Sequence, residues 1–344
     1  MTKMQKIRIV CYGMGAVGSR IAKLLLEKEG IQIVGVIDIA TDKVGKDLGE
    51  VLELNKKLGV IVTDNVDDVL SKACCDVVVH ATGSYLKDVY DQIAPLAKYG
   101  VNVISTCEEL SYPYLTEPEL AKKLEALGVK YAMTFLGTGI NPGFLMDTLV
   151  ITLTGVCQKI DKIKAVRVMN AGTRRVPFQK KIGAGLSVNE FKEKIATKKI
   201  TGHVGLEQSI GMIASALRRD LDKIQVEQVK PIIAEKQVES EAIRVKKGQV
   251  AGIRQTAHGI MKREDVITLD FQAYIGAEEE YDSITIDGVP PVHQRISPCV
   301  HGDFATVAII VNSIPKIMNA PPGLVTMKDL PIPSAAVEDM RKYL

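Results

Sequence analysis

Two groups of residues in this 344-residue chain have types and spacings that could do chemistry. The first is Gly13-Met14-Gly15-Ala16-Val17-Gly18, which follows the apolar run Ile7 to Tyr12 and opens an amphipathic stretch. In that context the first glycine permits a tight turn and the second lets backbone approach a pyrophosphate. The third lets helix and strand pack, so phosphate rests on the helix N-terminus. Asp38 ends the next β-branched run, 20 residues after Gly18, where a carboxylate accepts hydrogen bonds from an adenosine ribose. A carboxylate there repels a 2′-phosphate and favours NAD over NADP; no arginine follows in Ile39-Ala40-Thr41, and Lys43 is the nearby cation. The expected cofactor is therefore NAD or NADP, and the alternative is a glycine turn with no ligand. The second group is Ser105-Thr106-Cys107-Glu108-Glu109. A carboxylate beside a nicotinamide can take a proton from an amine or activate water, whereas a thiolate at Cys107 would add to an aldehyde and give a thioester. An acidic surface turn is the third reading of the same residues.

The elements that must position these groups follow from periodicity. From Lys6 to about Thr134 short β-branched runs alternate with amphipathic stretches: Ile7 to Tyr12, Gln32 to Asp38, Val60 to Thr63, Asp76 to Ala81, Asn102 to Ser105 and Lys130 to Thr134. That pattern predicts an α/β domain, a Rossmann-type doubly wound parallel sheet. Helices are expected over Ala16 to Glu29 and Tyr85 to Lys98, and a capping box at Thr116 and Glu119 opens another that runs to Leu127. In such a sheet ligands collect beyond the strands' carboxyl ends, so Ala81, Thr82 and Gly83 join the expected cofactor contacts. His80, within its strand, reads as a packed core histidine. Asn141-Pro142 reads as an N-cap and first helical residue of a helix to about Thr154, and Asn141 is counted among the cofactor residues.

Beyond it the texture changes to long strands with few helices between them: Ile160 to Ala171, Ile224 to Glu235, Gly248 to Met261, Asp265 to Tyr274 and Tyr281 to Ile286. Helical patterns start at Ser187 and near Gly205. This half is expected to be an α+β domain with a mixed or mostly antiparallel sheet and helices on one face. Asp303 to Met318 is helical in period, with Pro315 expected to kink or end it. Expected boundaries are 1–140 with 300–344 for the dinucleotide-binding domain and 141–299 for the substrate-binding and dimerisation domain.

Composition narrows the classes. Lys plus Arg total 44 against 41 Asp plus Glu, a formal +3 that is too balanced for a chain wrapping nucleic acid or coating an anionic membrane. Apolar content of 46% with 25% charged residues is that of a folded globular chain. No apolar run approaches the ~20 residues of a membrane span. The six cysteines form no Cys-x-x-Cys pair and no His cluster joins them, so neither a zinc site nor a disulfide scaffold is expected. With no signal-peptide pattern at the start, the expectation is a cytoplasmic protein with reduced thiols.

The string Val103-Ile104-Ser105-Thr106-Cys107-Glu108-Glu109-Leu110 does not stand alone. Together with His80-Ala81-Thr82-Gly83-Ser84, Gly137-Thr138-Gly139-Ile140-Asn141-Pro142-Gly143-Phe144 and Pro322-Gly323-Leu324, it resembles the 2,4-diaminopentanoate dehydrogenases. These are relatives of dihydrodipicolinate reductase and the native amine dehydrogenases. The resemblance spans nearly the whole chain. It implies NAD(P)-dependent oxidative deamination of 2,4-diaminopentanoate to 2-amino-4-oxopentanoate with release of ammonia, a step of ornithine breakdown, in a homodimer. It also implies that Glu108 is the catalytic carboxylate, with Glu109 the alternative because the doublet leaves the match ambiguous by one residue.

The segment Asn170 to Gly185 resembles the substrate loop of dihydrodipicolinate reductase but lacks that family's His-His pair, which argues against reductase activity. The implied substrate carries a carboxylate, and arginine matches a carboxylate bidentately. Arg174 or Arg175 is accordingly the expected anchor, with Gln179 and His203 beside it; the alternative is that Arg174, Arg175, Lys180 and Lys181 form a solvated basic turn. Strand alternation puts Arg254 and His258 on one face and Gln255 on the other. Two other functions remain open: a thiol-dependent aldehyde dehydrogenase using Cys107, and a non-catalytic dinucleotide sensor, although no helix-turn-helix is evident.

Overall fold

The computed structural model describes residues 5–344; the reading of the chain's start as free of a signal peptide falls partly on residues 1–4, outside the described residues. The chain divides into two compact units. Unit 1 runs to Phe144 and resumes over Gly302–Leu344, and unit 2 is Leu145–His301.

In unit 1, strands β1 (Ile7–Tyr12), β2 (Ile31–Ile37), β3 (Val62–Thr63), β4 (Val77–His80), β5 (Asn102–Ser105) and β6 (Thr134–Gly137) lie parallel, joined at one edge by a late strand, Gly323–Val325. The order is late strand-β6-β5-β4-β1-β2-β3. The chain thus switches direction across the sheet between β1 and β4, the place where a doubly wound fold takes its ligands. Because helices cover both faces, the central strands are apolar throughout: Ile9, Val10, Val36, Val77, Val78, Val103, Ile104 and Phe135 are all buried. Helix α1 (Ala16–Glu27) starts inside the glycine motif, and α2 (Leu48–Val51), α3 (Val66–Leu70), α4 (Leu86–Ile93) and α5 (Pro118–Tyr131) follow between strands.

Three expectations for this region are corrected. Helix α5 runs on to Tyr131, through the β-branched and aromatic Val129 and Tyr131, because Ala121, Leu124 and Gly128 continue its buried stripe. The sixth strand therefore begins at Thr134, four residues later than Lys130. Helix α5 opens on Pro118 after Glu117, with no side-chain cap, so Thr116 does not form the expected capping box. Asn141 starts no helix either. Gly143 adopts φ +126°, which interrupts helical backbone, and the next helix, α6 (Thr148–Thr154), begins where the Asp147 carboxylate accepts the Thr148 amide at 2.5 Å.

Unit 2 is built on β7 (Lys159–Asn170), β8 (Lys223–Val226), β9 (Lys230–Ile233), a small hairpin of β10 (Val238–Glu239) and β11 (Arg244–Val245), β12 (Val250–Met261), β13 (Glu264–Tyr274), β14 (Tyr281–Val289) and β15 (Val292–Ile296). The main sheet has the order β15-β14-β7-β13-β12-β8, with β9 also on β12. Only β7 and β13 are parallel, so the sheet is mixed. The single strand expected over Ile224 to Glu235 is two strands that pair with opposite halves of β12; Pro231 has no N–H and fits only such an edge.

Helices α7 (Val176–Lys181), α8 (Val188–Ala196) and α9 (Leu206–Ala216) complete the unit. Ser187 and Glu190 form a reciprocal capping box at α8. The inward sheet face carries Ile163, Ala165, Ile267, Leu269, Phe271, Ile253, Gln255 and Ala257, all buried. The alternation left open by the sequence is thereby resolved: Gln255 faces the helices, whereas Arg254 and His258 lie on the open face.

The last helix, α10 (Gly302–Met318), belongs to unit 1 and packs on α1. It runs through Pro315 instead of ending there. Burial of Val307, Ile310, Val311, Ile314 and Ile317 outweighs the ~3 kcal/mol that an interior proline costs. The strand Gly323–Val325, β16, follows it and pairs with β6.

Candidate active site

The three motif glycines do different work. Gly13 has φ +94°, and a Cβ there would lie 2.6 Å from the Ala81 carbonyl oxygen; a Cβ on Gly18 would lie 1.8 Å from the Gly13 oxygen. Those two close the strand–turn–helix packing. A Cβ on Gly15 would meet nothing within 4 Å, so the middle glycine leaves an open cradle over the first turn of α1. The amides of Ala16, Val17 and Gly18 there have no acceptor within the helix. This is the arrangement that admits a pyrophosphate, and the residues fit a dinucleotide. Met14, by contrast, is buried, and its amide donates to Asp38 Oδ2 at 2.5 Å.

Asp38 is itself buried, which would raise its pKa. The amides of Ala40 (2.8 Å) and Met14, together with Lys43, outweigh that and hold the carboxyl below its usual range. Ala81 follows β4, its amide donating to the Tyr12 carbonyl at 2.8 Å, and the Thr82 hydroxyl bonds to Gln92 at 2.7 Å, so Ala81, Thr82 and Gly83 sit at the carboxyl end of the sheet. Asn141 lies in the loop after β6, half-buried, beside Pro142.

The loop after β5 separates its three candidate groups. Cys107 is fully buried among Leu86, Val89, Leu110 and Phe135, its thiol faces the Ser84 carbonyl at 3.3 Å, and burial pushes it up to about 12. A thiol so placed is neither exposed nor ionised, which overturns the aldehyde-dehydrogenase alternative. Glu109 is buried, and its carboxylate accepts the Leu86 amide at 2.7 Å at the start of α4. Glu108 is half-buried on the outer side of the same turn.

Behind them lies a polar network. His80 is fully buried, with Nδ1 2.8 Å from Ser105 Oγ and Nε2 2.8 Å from Thr82 Oγ1, while Ser105 Oγ accepts the Cys107 amide at 3.0 Å. Burial pushes the imidazole down to about 4, so it is neutral near pH 7. The core histidine thus braces the turn that carries Glu108. Sequence offered one signal for this role, a polar residue closing an otherwise apolar strand.

In unit 2 the expected anchors part company. Arg174 is half-buried, its guanidinium 4.7 Å above the Phe178 ring and 3.7 Å from Met169 Sδ; Arg175 is exposed at the start of α7. Gln179 is buried, and its amide is committed within the loop: the nitrogen donates to the Arg174 carbonyl at 2.7 Å and the oxygen accepts Ser240 Oγ at 2.7 Å. It braces Arg174, a correction to its expected place among the ligand contacts. His203 stacks on Phe271 with centroids 4.4 Å apart, and its backbone amide donates to Gln255 Oε1 at 2.9 Å. Burial, then the charges of Arg167 and Lys181, push its imidazole down to about 3.

Arg167 was not among the expected residues. It is fully buried on the inward face of β7, paired with Asp282 at 2.9 Å and also donating to the Val300 carbonyl. Burial lowers its pKa, Asp282 opposes that, and the charge of Arg174 adds to the lowering. A charged residue in the alternating apolar series Ala165, Arg167, Met169 was the available signal. The result is a concentration of positive charge around His203 and Arg174, an environment suited to an anion.

A switch-point sheet, an open glycine cradle and a buried ionised acid beside it define a dinucleotide-binding oxidoreductase fold with a separate second unit. Residues 7–109 match the model of the dihydrodipicolinate reductase N-terminus, and residues 144–344 match that of the 2,4-diaminopentanoate dehydrogenase C-terminal domain. The chain belongs to the 2,4-diaminopentanoate dehydrogenase family. It is 36% identical to a 2,4-diaminopentanoate dehydrogenase of Acetoanaerobium sticklandii, over 99% of this chain and 98% of the relative. Among solved structures it is similar to an amine dehydrogenase from Mycobacterium smegmatis, with a TM-score of 0.83 and 31% identity, covering 96% of this chain and 98% of the other. Likeness of fold alone extends to GenD2 from gentamicin A biosynthesis, solved in complex with NAD, at a TM-score of 0.56, 13% identity and coverage of 95% and 90%.

Proposed function

We propose that this protein catalyses the NAD(P)-dependent oxidative deamination of 2,4-diaminopentanoate to 2-amino-4-oxopentanoate and ammonia. The carrying observation is that similarity to an enzyme of that name extends over both chains almost end to end, while the turn after β5 leaves Glu108 as its accessible carboxylate. Gly13 to Gly18 would hold the pyrophosphate of the dinucleotide and Asp38 its ribose, and the oxidised nicotinamide would supply the acceptor for the hydride lost from C4. Hydride can leave only when the C4 amine is neutral, and Glu108 takes that amine's proton. Glu108 passes that proton to solvent, and its carboxylate then stabilises the positive iminium, takes a proton from the water that attacks it and returns that proton to the nitrogen. Ammonia leaves as the carbonyl forms. Ala81, Thr82, Gly83 and Asn141 would line the cofactor's path. Within unit 2, Arg174, held by Phe178, Met169 and Gln179, is the group that matches a carboxylate, with the neutral imidazole of His203 in the same unit and Arg175 at the loop's exposed end.

We further infer that the open face of the unit 2 sheet, with Lys164, Arg254 and His258 outward, pairs with a second copy; light scattering that returns a monomeric mass contradicts it. Among the described residues no helix is long and apolar enough to cross a membrane. The function is tested by following reduced nicotinamide with 2,4-diaminopentanoate, ornithine, simple amines and aldehydes. The expected order puts the diaminopentanoate first. Tight dinucleotide binding without turnover of any amine would favour a sensor.

A further inference from the structure

The adenosine end of the glycine loop holds a cation as well as an acid. The turn Ala40 to Lys43, closed by the Lys43 amide on the Ala40 carbonyl at 2.9 Å, brings the Lys43 side chain back toward the motif. Its ammonium donates to the Met14 carbonyl at 2.9 Å and lies 3.6 Å from Asp38 Oδ2. Asp38 meanwhile uses Oδ2 for the Met14 amide and Oδ1 for the Ala40 amide. The acid that would reject a 2′-phosphate is therefore neutralised in place, by a lysine whose side chain is a quarter exposed.

We propose that Lys43 determines discrimination at the ribose 2′ position and lets this chain accept the 2′-phosphorylated dinucleotide beside the unphosphorylated one. The inference rests on the reading of unit 1 as a nicotinamide-dinucleotide site. An ammonium has three donors; one serves Met14 and one faces Asp38, which leaves a third for a phosphate oxygen. The lysine stem is flexible enough to follow that phosphate. A bare carboxylate at this position selects by repulsion alone. Here a single positive charge converts the repulsion into a choice between two ligands: the hydroxyl pair of one meets Asp38, and the phosphate of the other meets Lys43. Ile39, 81% exposed on the same turn, offers an apolar surface to an adenine face. Because the base is common to both ligands, that surface does not discriminate.

The test measures dissociation constants for NADH and NADPH by calorimetry on the full chain, on Lys43→Met, which keeps the stem without the charge, and on Lys43→Arg. The wild-type ratio of the NADPH constant to the NADH constant is expected to lie within about tenfold of unity. It should rise a further tenfold or more in Lys43→Met and return toward the wild-type value in Lys43→Arg. Three results overturn the proposal: a ratio unchanged within twofold in Lys43→Met, equal weakening of both ligands, or wild-type binding of NADH with none of NADPH. Failure of the wild type to bind either ligand would instead sink the dinucleotide site on which the inference rests.

Discussion

Adjacent substitutions in the turn after β5, Glu108→Gln and Glu109→Ala, should separate catalysis from architecture. Glutamine at 108 keeps the side chain's size and removes its ability to take a proton. Loss of a positioned base costs ~10²–10⁴ in rate, or about 3 to 5 kcal/mol of barrier. Glutamine fills the same half-buried place, so the melting temperature should move little. Glu109 accepts the Leu86 amide at 2.7 Å in a buried place. Its removal leaves that donor without its acceptor, at ~1–3 kcal/mol, and a protein of this size loses ~2–4 °C per kcal/mol. The assay pairs kcat for reduced-nicotinamide formation with thermal unfolding of each variant. If Glu109→Ala abolishes turnover without losing stability while Glu108→Gln keeps full activity, the assignment is reversed and the reasoning from burial fails.

Three more predictions follow from the same geometry. Gly15→Val puts its side chain into the open cradle and should abolish dinucleotide binding at nearly unchanged melting temperature. Gly18→Val must displace the Gly13 carbonyl 1.8 Å from its Cβ and should lower both; equal stability of the two variants would count against the cradle. His80 is neutral when folded, at about 4 against an ordinary 6.5, so between those values the unfolded chain binds the extra proton. Its contribution is complete above about pH 6.5 and is lost as pH falls through about 4, up to about 3 kcal/mol. Chemical denaturation from pH 7 to 4 should show a shallower dependence in His80→Asn, and an unchanged slope would contradict this. Cys107→Ala should keep kcat within about threefold while losing on the order of 1 kcal/mol of packing, whereas abolished turnover would restore the thiol mechanism.

The parts of the fold governed by local periodicity were legible in the sequence. The alternation of strands and helices, the glycine turn and the Ser187 capping box depend on neighbours within a few residues. Where distant packing decides, the sequence misled. Helix α5 runs through β-branched Val129 because its buried stripe continues. Helix α10 keeps Pro315 because its faces are buried nearly all round, and Asn141 yields to Asp147 because Gly143 turns the backbone left-handed. The site divides in the same way. The Gly13 to Gly18 loop and Asp38 could be named from spacing alone. That Met14 gives its amide to Asp38, 24 residues away, and that Gln179 is bound inside its own loop, could not. Cys107, Glu108 and Glu109 are indistinguishable as a string; only burial shows that one is core, one a brace and one accessible.

The proposed reaction makes the C4 hydrogen the one that moves. With 2,4-diaminopentanoate deuterated at C4 and an excess of oxidised cofactor, the account predicts deuterium in the reduced nicotinamide, none on C4 of 2-amino-4-oxopentanoate, and one ammonia per cofactor reduced. Reduced cofactor free of deuterium, or deuterium retained at C4 while ammonia is lost from C2, would contradict it.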